Sequence, residues 1–337
     1  MKEPSGAERP GRALRVLFAA SPAIAVPSLQ AVSRLELEGR GVALAGLLTN
    51  PDSARKRGLA QPTDVSAAAF ELDRARRERG LASIPQLKPE KLDLQAREEA
   101  AALAPDLLVS FAYGRIFGPR FLALFPRGGI NIHPSLLPKY RGAAPIPAAI
   151  LSGERETGIC VQKLAVEMDS GDILARERIE LSGRETTLSL SEAVSHRAAA
   201  LLDRLLVDFD PAAARPQTGQ AVYCSQIRKE DGAIDWARSA VQIDAQIRAY
   251  TPWPLSFTEL GTDTLFILEA RPLEPAAVGA AVPGTVLGTD RENGILIQTG
   301  DGVLAVSRLQ WQAKKALDWK AFCNGARNFT GARLGGG

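Results

Sequence analysis

LRVLFAASPAIAVPSLQAVSRLELEGRGVALAGLL, residues 14–48, decides the fold. Leu14 to Ala20 is a short apolar run of the length and composition of a buried strand, and Val42 to Leu48 is a second. Between them, Ile24 to Leu37 carries its apolar residues at helical spacing. Strand, helix and strand in that order predict a right-handed crossover unit in a parallel sheet. The same alternation continues outward. A helix-like stretch from Pro89 to Ala104 feeds a strand at Leu107 to Phe111. Gly129 to His133 follows as a strand, then Thr157 to Ala165 and Asp172 to Leu181, and a helix from Thr187 to Val207. The expected fold class is therefore α/β, with a Rossmann-like, mostly parallel sheet. The first strand ends in Ala19-Ala20-Ser21-Pro22 with no GxGxxG, and no GxxxxGK[ST] occurs in the chain. A dinucleotide or P-loop nucleotide site is thus not implied, and we expect no nucleotide cofactor.

The pattern changes after Asp208. Residues 208–222 include Pro211, Pro216 and Gly219 and read as a linker. Beyond it, short runs at Leu265–Glu269, Gly284–Leu287, Gly294–Gln298 and Val303–Leu309 alternate with turn signals, among them Asn293-Gly294 and Asp301-Gly302. A helix from Ala240 to Tyr250 precedes them. This predicts a small all-β domain, a barrel, over residues 223–330. With 337 residues, two domains are the natural expectation: residues 13–207 as a sheet domain, then the linker, then the barrel. Residues 1–12 are polar, lack the apolar core of a signal peptide and are expected to be a disordered tail.

Several function classes drop out on composition. No apolar run approaches the roughly 20 residues that span a bilayer, so no membrane association is expected. Cys160, Cys224 and Cys323 are widely separated, and the only histidines are His133 and His196. A clustered metal set of about four ligands is not on offer, so we expect no metal and a reducing compartment. The net charge of +3 hides a local excess. Residues 53–91 are basic on balance, and Arg55, Lys56 and Arg57 sit together in the loop after the second strand. A loop cluster of cations can meet a phosphate backbone; equally, it can be a solvated surface.

The chemistry concentrates between Asn131 and Asp172. Asn131-Ile132-His133 ends a strand, and residues two apart in a strand project from one face. Ligands bind at the carboxyl ends of strands in open α/β sheets. Further on, Glu167-Met168-Asp169-Ser170-Gly171-Asp172 sets carboxylates in a glycine turn. An amide, an imidazole and a carboxylate together supply an oxyanion donor, a proton donor and a relay for attack on a carbonyl. On residue type and spacing alone, a structural histidine and an aspartate that merely forms its turn account for the same residues.

The strings NIHPSLLPKYRGAAPI (131–146) and GERETGICVQKLAVEMDSGDIL (153–174) resemble the formyltransferases that use 10-formyltetrahydrofolate, with the branch acting on methionyl-tRNA matching particularly well. FAASP (18–22), PDSARKRG (51–58), SFAYGRI (110–116), IRKEDGAIDW (227–236) and IRAYTPWP (247–254) extend the likeness along nearly the whole chain. The resemblance implies a Rossmann-like catalytic domain followed by an OB-like barrel that binds tRNA. It implies Asn131, His133 and Asp169 as the catalytic trio, with Asn131 and His133 stabilising the oxyanion and Asp169 relaying the proton. It implies Ser135, Leu136, Leu137 and Pro138 as lining the folate site, with Phe111, Ala112, Tyr113 and Gly114 beside the pterin. Arg57, flanked by Arg55 and Lys56, would engage the tRNA acceptor end. The implied partners are initiator methionyl-tRNA and the folate formyl donor, handled by a cytoplasmic monomer that moves the formyl group by direct amine attack. Two positions depart from the pattern: Ala20 stands where glycine is usual, and Leu59-Ala60 follow Arg57-Gly58 where lysines are common. An amino sugar nucleotide, glycinamide ribonucleotide or water as acceptor, and a binding protein that kept the fold, are the alternatives.

Overall fold

The computed structural model describes residues 12–54, 60–273, 281–326 and 328–335. The basic loop residues Arg55, Lys56 and Arg57 lie outside the described residues. Contacts divide the chain into two compact units. The first comprises the chain up to Gly142 with Thr157–Glu180 and Ser191–Tyr223, and the second comprises Ala143–Glu156, Leu181–Leu190 and the chain from Cys224.

The first unit is built on a seven-stranded sheet. Its strands are β1 (Leu14–Ala20), β2 (Val42–Leu48), β3 (Gln86–Leu87), β4 (Leu107–Phe111), β5 (Gly129–His133), β6 (Glu156–Lys163) and β7 (Ile173–Glu180). In space they run β7-β6-β5-β4-β1-β2-β3. The pairs β1–β2, β1–β4, β2–β3 and β4–β5 are parallel, whereas β5–β6 is antiparallel. The α/β class and parallel-dominated sheet expected from residues 14–48 are present. β1 and β4 are buried along most of their length, which is why they read as continuous apolar runs rather than alternating ones.

The helices of this unit are α1 (Val26–Leu37), α2 (Asp64–Glu78), α3 (Leu94–Ala102) and the short α4 (Pro119–Leu122). α1 begins two residues later than its apolar spacing suggested, because Ala23–Ala25 form a 3-10 turn ahead of Pro27. α2 and α3 start where Thr63 and Asp93 accept hydrogen bonds from the backbone N–H of Ser66 and Ala96. Tyr113, Phe117, Phe121 and Phe125 stack in series with ring centroids 5.4, 5.6 and 5.7 Å apart. That aromatic row packs with Leu17, Leu48 and Leu108 to cover one face of the sheet. The long helix α6 (Thr187–Val207) follows α5 (Pro145–Leu151), and the division between the units falls within it. Residues 208–222, expected as a linker, cluster with the first unit.

The second unit carries α5, α7 (Ala240–Ala249) and an antiparallel sheet. Its strands are β8 (Ser256–Leu260), β9 (Asp263–Leu273), β10 (Val286–Asp290), β11 (Gly294–Gln298), β12 (Val303–Trp311) and β13 (Leu317–Asp318). They pair in the order β8-β9-β12-β11-β10, with β13 added to β12. Ser239 and Gln242 form a capping box at the start of α7. Trp236, Ile243, Leu265, Ile295, Leu304 and Phe322 form the core, and Trp236 Nε1 satisfies itself on Thr258 Oγ1 at 3.0 Å. The Asn293-Gly294 hairpin joins β10 to β11 as its turn signal predicts. β8 and the C-terminal helix α8 (Trp319–Gly325) had no counterpart in the sequence reading.

Candidate active site

β5 sets the geometry. Ile130 and Ile132 are each 1% exposed and face the core, so Asn131 and His133 share the opposite face. The antiparallel register of β6 sets Gln162 opposite Asn131 and Cys160 opposite His133. Opposed residues lie on the same face of a sheet, so Gln162 joins the amide and imidazole. β6 then leads into the 164–172 turn, which returns with Asp169 pointing at the same spot.

Asp169 is where the three elements meet. Its Oδ1 accepts from Gln162 Nε2 at 2.8 Å and from Asn131 Nδ2 at 3.4 Å, and lies 3.5 Å from His133 Nδ1. Its Oδ2 accepts from the backbone N–H of Gly142 at 2.9 Å. Three of these groups are N–H donors, and the carboxylate form is the one that matches them. Asp169 itself has φ of 52°, in the left-handed region that few non-glycine residues adopt and aspartate adopts more readily than most. Gly171 shows how tightly the turn is held: a Cβ there would lie 1.8 Å from the Lys163 carbonyl oxygen.

His133 is 4% exposed. Its Nε2 lies 2.8 Å from the Tyr140 carbonyl. A carbonyl only accepts, so Nε2 carries the hydrogen, and in the neutral ring Nδ1 is the basic nitrogen facing Asp169. Burial pushes the imidazole below the ordinary histidine range, opposed by the nearby Asp169 charge and by the Tyr140 carbonyl. Near neutral pH the ring is therefore neutral. Tyr140, at φ 59°, turns its carbonyl back onto the ring.

The structure thus brings Asn131, His133 and Asp169 together. The residues expected around a folate divide into two kinds. Phe111 and Tyr113 are buried, with Tyr113 in the aromatic row, so their rings face the core. Ala112 and Gly114 are exposed with φ of 51° and 81°, and offer backbone at the carboxyl end of β4. The loop is pinned by Asn50, which donates to the Tyr113 carbonyl at 3.2 Å and accepts from Arg115 Nε at 2.8 Å. Ser135 is fully buried and donates to the Lys139 carbonyl at 2.6 Å, so its hydroxyl builds the turn. Leu137 packs with Cys160 and Ile173, while Leu136 and Pro138 are half-buried.

Sequence reasoning missed Gln162, Tyr140, Gly142 and Gln217. Gln162 left a signal, an amide inside the apolar strand Ile159-Cys160-Val161. Tyr140 and Gly142 act through backbone atoms, which residue type does not advertise. Gln217 sits in the stretch read as a linker. Its Nε2 donates to the carbonyls of Asp169 and Gly171, each at 2.8 Å.

Comparison with known proteins identifies the family. The formyl transferase family model matches residues 14–206, and the model of the formyl transferase C-terminal domain matches residues 226–327. Methionyl-tRNA formyltransferase of Treponema denticola is 47% identical over 94% of this chain and 98% of that protein. The enzyme of the same name from Borrelia duttonii is 37% identical over 94% and 99%. Among solved structures, WlaRD, a sugar 3N-formyl transferase, has a TM-score of 0.61 at 18% identity, covering 90% of this chain and all of that one. HypX from Aquifex aeolicus in complex with tetrahydrofolic acid has a TM-score of 0.56 at 18% identity; it matches 94% of this chain, which spans about half of that protein (48%). These two likenesses speak to the fold alone. By its two matched domains and its near-full-length relatives, the chain belongs to the formyl transferase family, in the group of the methionyl-tRNA formyltransferases.

Proposed function

We propose that this enzyme transfers the formyl group of 10-formyltetrahydrofolate to the α-amino group of initiator methionyl-tRNA, giving N-formylmethionyl-tRNA for translation initiation. The observation that carries the chemistry is the convergence of Asn131 and His133 on Asp169, at 3.4 and 3.5 Å. The names of the near-full-length relatives support the acceptor. The formyl donor is a substrate, and the residues present suit it. A pterin is a flat ring with a hydrogen-bonding edge, and exposed backbone at Ala112 and Gly114 suits that edge. Leu136 and Pro138 offer an apolar wall, backed by the buried Leu137, with Ser135 bracing their turn. Phe111 and Tyr113 contribute by holding the loop.

The amine is the nucleophile. Esterification removes the carboxylate of methionine and lowers the basicity of the amine, so free base is available near neutral pH. Asn131 donates its amide hydrogen to the formyl oxygen as charge develops there. Neutral His133 accepts a proton from the attacking nitrogen at Nδ1, since its other nitrogen is committed to Tyr140. Asp169 then faces the imidazolium across 3.5 Å and stabilises it. The Nδ1 proton then passes to the folate nitrogen as its bond to the formyl carbon breaks. No side chain becomes acylated, and the groups named need no metal.

The remaining assignments rest on the sequence. Arg57, with Arg55 and Lys56, contacts the tRNA acceptor end. Residues 13–207 form the catalytic domain, and 223–330 form an OB-like domain that holds the tRNA. Because the three catalytic side chains belong to one chain, a monomer suffices, and the reaction belongs in the cytoplasm with protein synthesis. The test compares charged initiator tRNA, glycinamide ribonucleotide, an amino sugar nucleotide and water as formyl acceptors. Preferred transfer to the tRNA is expected, and preference for any other acceptor overturns the reading.

A further inference from the structure

Residues 215–224 lace together the two loops that carry the site. On one side, Ile173 and Arg215 exchange backbone hydrogen bonds of 2.7 and 2.9 Å. On the other, Val222 donates to the Pro138 carbonyl at 3.1 Å and accepts from the Arg141 N–H at 2.8 Å. Between these anchors Gln217 turns inward. Its amide has two hydrogens, and the 2.8 Å bonds to the Asp169 and Gly171 carbonyls use both. Gln162 Oε1, at 3.3 Å from the same nitrogen, is a weaker third partner. The Gln217 oxygen accepts from Arg141 Nε and Nη2 at 3.2 and 2.7 Å. Arg141 in turn lies 3.7 Å from Glu167 and 5.9 Å from the Tyr223 ring centroid, and Tyr223 donates to Glu167 at 2.9 Å.

One side chain thus grips the 169–171 turn at both of its ends while being oriented by a guanidinium from the loop that supplies Gly142. Asp169 is held left-handed at the point where its carboxylate must reach both Asn131 and His133. We propose that Gln217 is a positioning residue for formyl transfer, fixing the backbone of the Asp169 turn so that the carboxylate stays in register with Asn131 and His133. This rests on the catalytic reading of that trio. Gln217 touches no reacting atom; it acts by holding the geometry, and displacement of a catalytic group by about 1 Å costs on the order of a hundredfold in rate.

The full chain tests this by steady-state formyl transfer to charged initiator tRNA, run in parallel on the parent, Gln217→Met, Gln217→Glu and Asp169→Asn. Methionine keeps the length and packing and removes the donors. Glutamate keeps an acceptor for Arg141 but also removes the donors. Both variants are expected to lose roughly tenfold to a hundredfold in kcat, with the folate KM within about twofold and an unchanged melting temperature. The acid limb of kcat should move to lower pH, because the Asp169 charge that favours protonation of His133 is less well placed. Parent-like kcat in Gln217→Met, or a fall in kcat with the acid limb unmoved, overturns the proposal. If the methionine variant does not fold, the glutamate variant decides by the same criteria; if neither folds, Gln217 is a structural brace and the proposal fails. Asp169→Asn separates the two levels. Its inactivity beside an active Gln217→Met rejects only the positioning role, whereas full activity in Asp169→Asn rejects the catalytic reading itself.

Discussion

Gly171→Ala adds one methyl group where the turn carrying Asp169 passes the end of β6. The new Cβ would lie 1.8 Å from the Lys163 carbonyl oxygen, against a limit of 3.0 Å below which such contacts are essentially never seen, so the two must separate by at least 1.2 Å. The strand cannot give that distance cheaply. Lys163 is paired with Ile130, its N–H donates to the Asp172 carbonyl at 2.9 Å, and Leu164 donates to Gly129 at 2.8 Å. The turn must move instead, and Asp169 sits two residues away. A shift of this size breaks the 2.8 Å bond to Gln162 and the 2.9 Å bond to Gly142. A misplacement of about 1 Å costs on the order of a hundredfold in rate, or about 2.7 kcal/mol of barrier. Overpacking adds a stability loss of about 1–3 kcal/mol. The assay is a single-turnover rate with charged tRNA, alongside a thermal melt to establish that the variant is folded. A folded Gly171→Ala enzyme with a rate within threefold of the parent would refute the claim that the turn cannot shift without disarming Asp169.

Asn131→Ala should fold normally and lose about a hundredfold or more in kcat, as removal of one oxyanion donor does; near-normal turnover removes Asn131 from the mechanism. Combined with Asp169→Ala the losses should be far from additive, since the two side chains share one bond. Burial holds His133 below the ordinary histidine value of 6.5. Between the lower folded value and about 6.5 the unfolded chain binds more protons, so stability falls as pH drops through that window. Urea midpoints at about pH 7.5 and about pH 5.5 should therefore drop less in His133→Gln than in the parent, and equal drops reject the assignment. Arg57→Ala should raise the tRNA Michaelis constant and flatten its salt dependence while leaving folate binding unchanged, because phosphate contacts release counterions. Initial rates at several salt concentrations decide it, and a slope like the parent's returns the loop to a solvated surface.

The α/β class, the parallel run of strands and the two side chains that β5 presents together are legible in the order of the residues. Buried parallel strands announce themselves as unbroken apolar runs, and period-two spacing fixes which residues share a face. β1, β2, β4 and β5 accordingly stand where the runs at Leu14, Val42, Leu107 and Gly129 predicted them. The second unit was legible in its turns and its alternating runs, but not at β8, which follows Leu255 in a left-handed conformation that no run of residues foretells.

How the site is held depends on contacts that exist in the folded chain and not in any one stretch of it. Gln162 enters because the register of β6 sets it opposite Asn131, and register is a property of two strands, not of one. Tyr140 and Gly142 contribute a carbonyl and an N–H, groups that every residue of their kind carries and that matter only where the fold aims them. Ser135 and Tyr113, in loops expected to meet ligand, turn inward because the Ser135 hydroxyl finds the Lys139 carbonyl and the Tyr113 ring stacks on Phe117. The proline- and glycine-bearing stretch 208–222 reads as a linker from composition, since composition reports local stiffness and solubility. Its hydrogen bonds to the Asp169 turn come from residues far along the chain, and contacts of that separation exist only once the chain has folded.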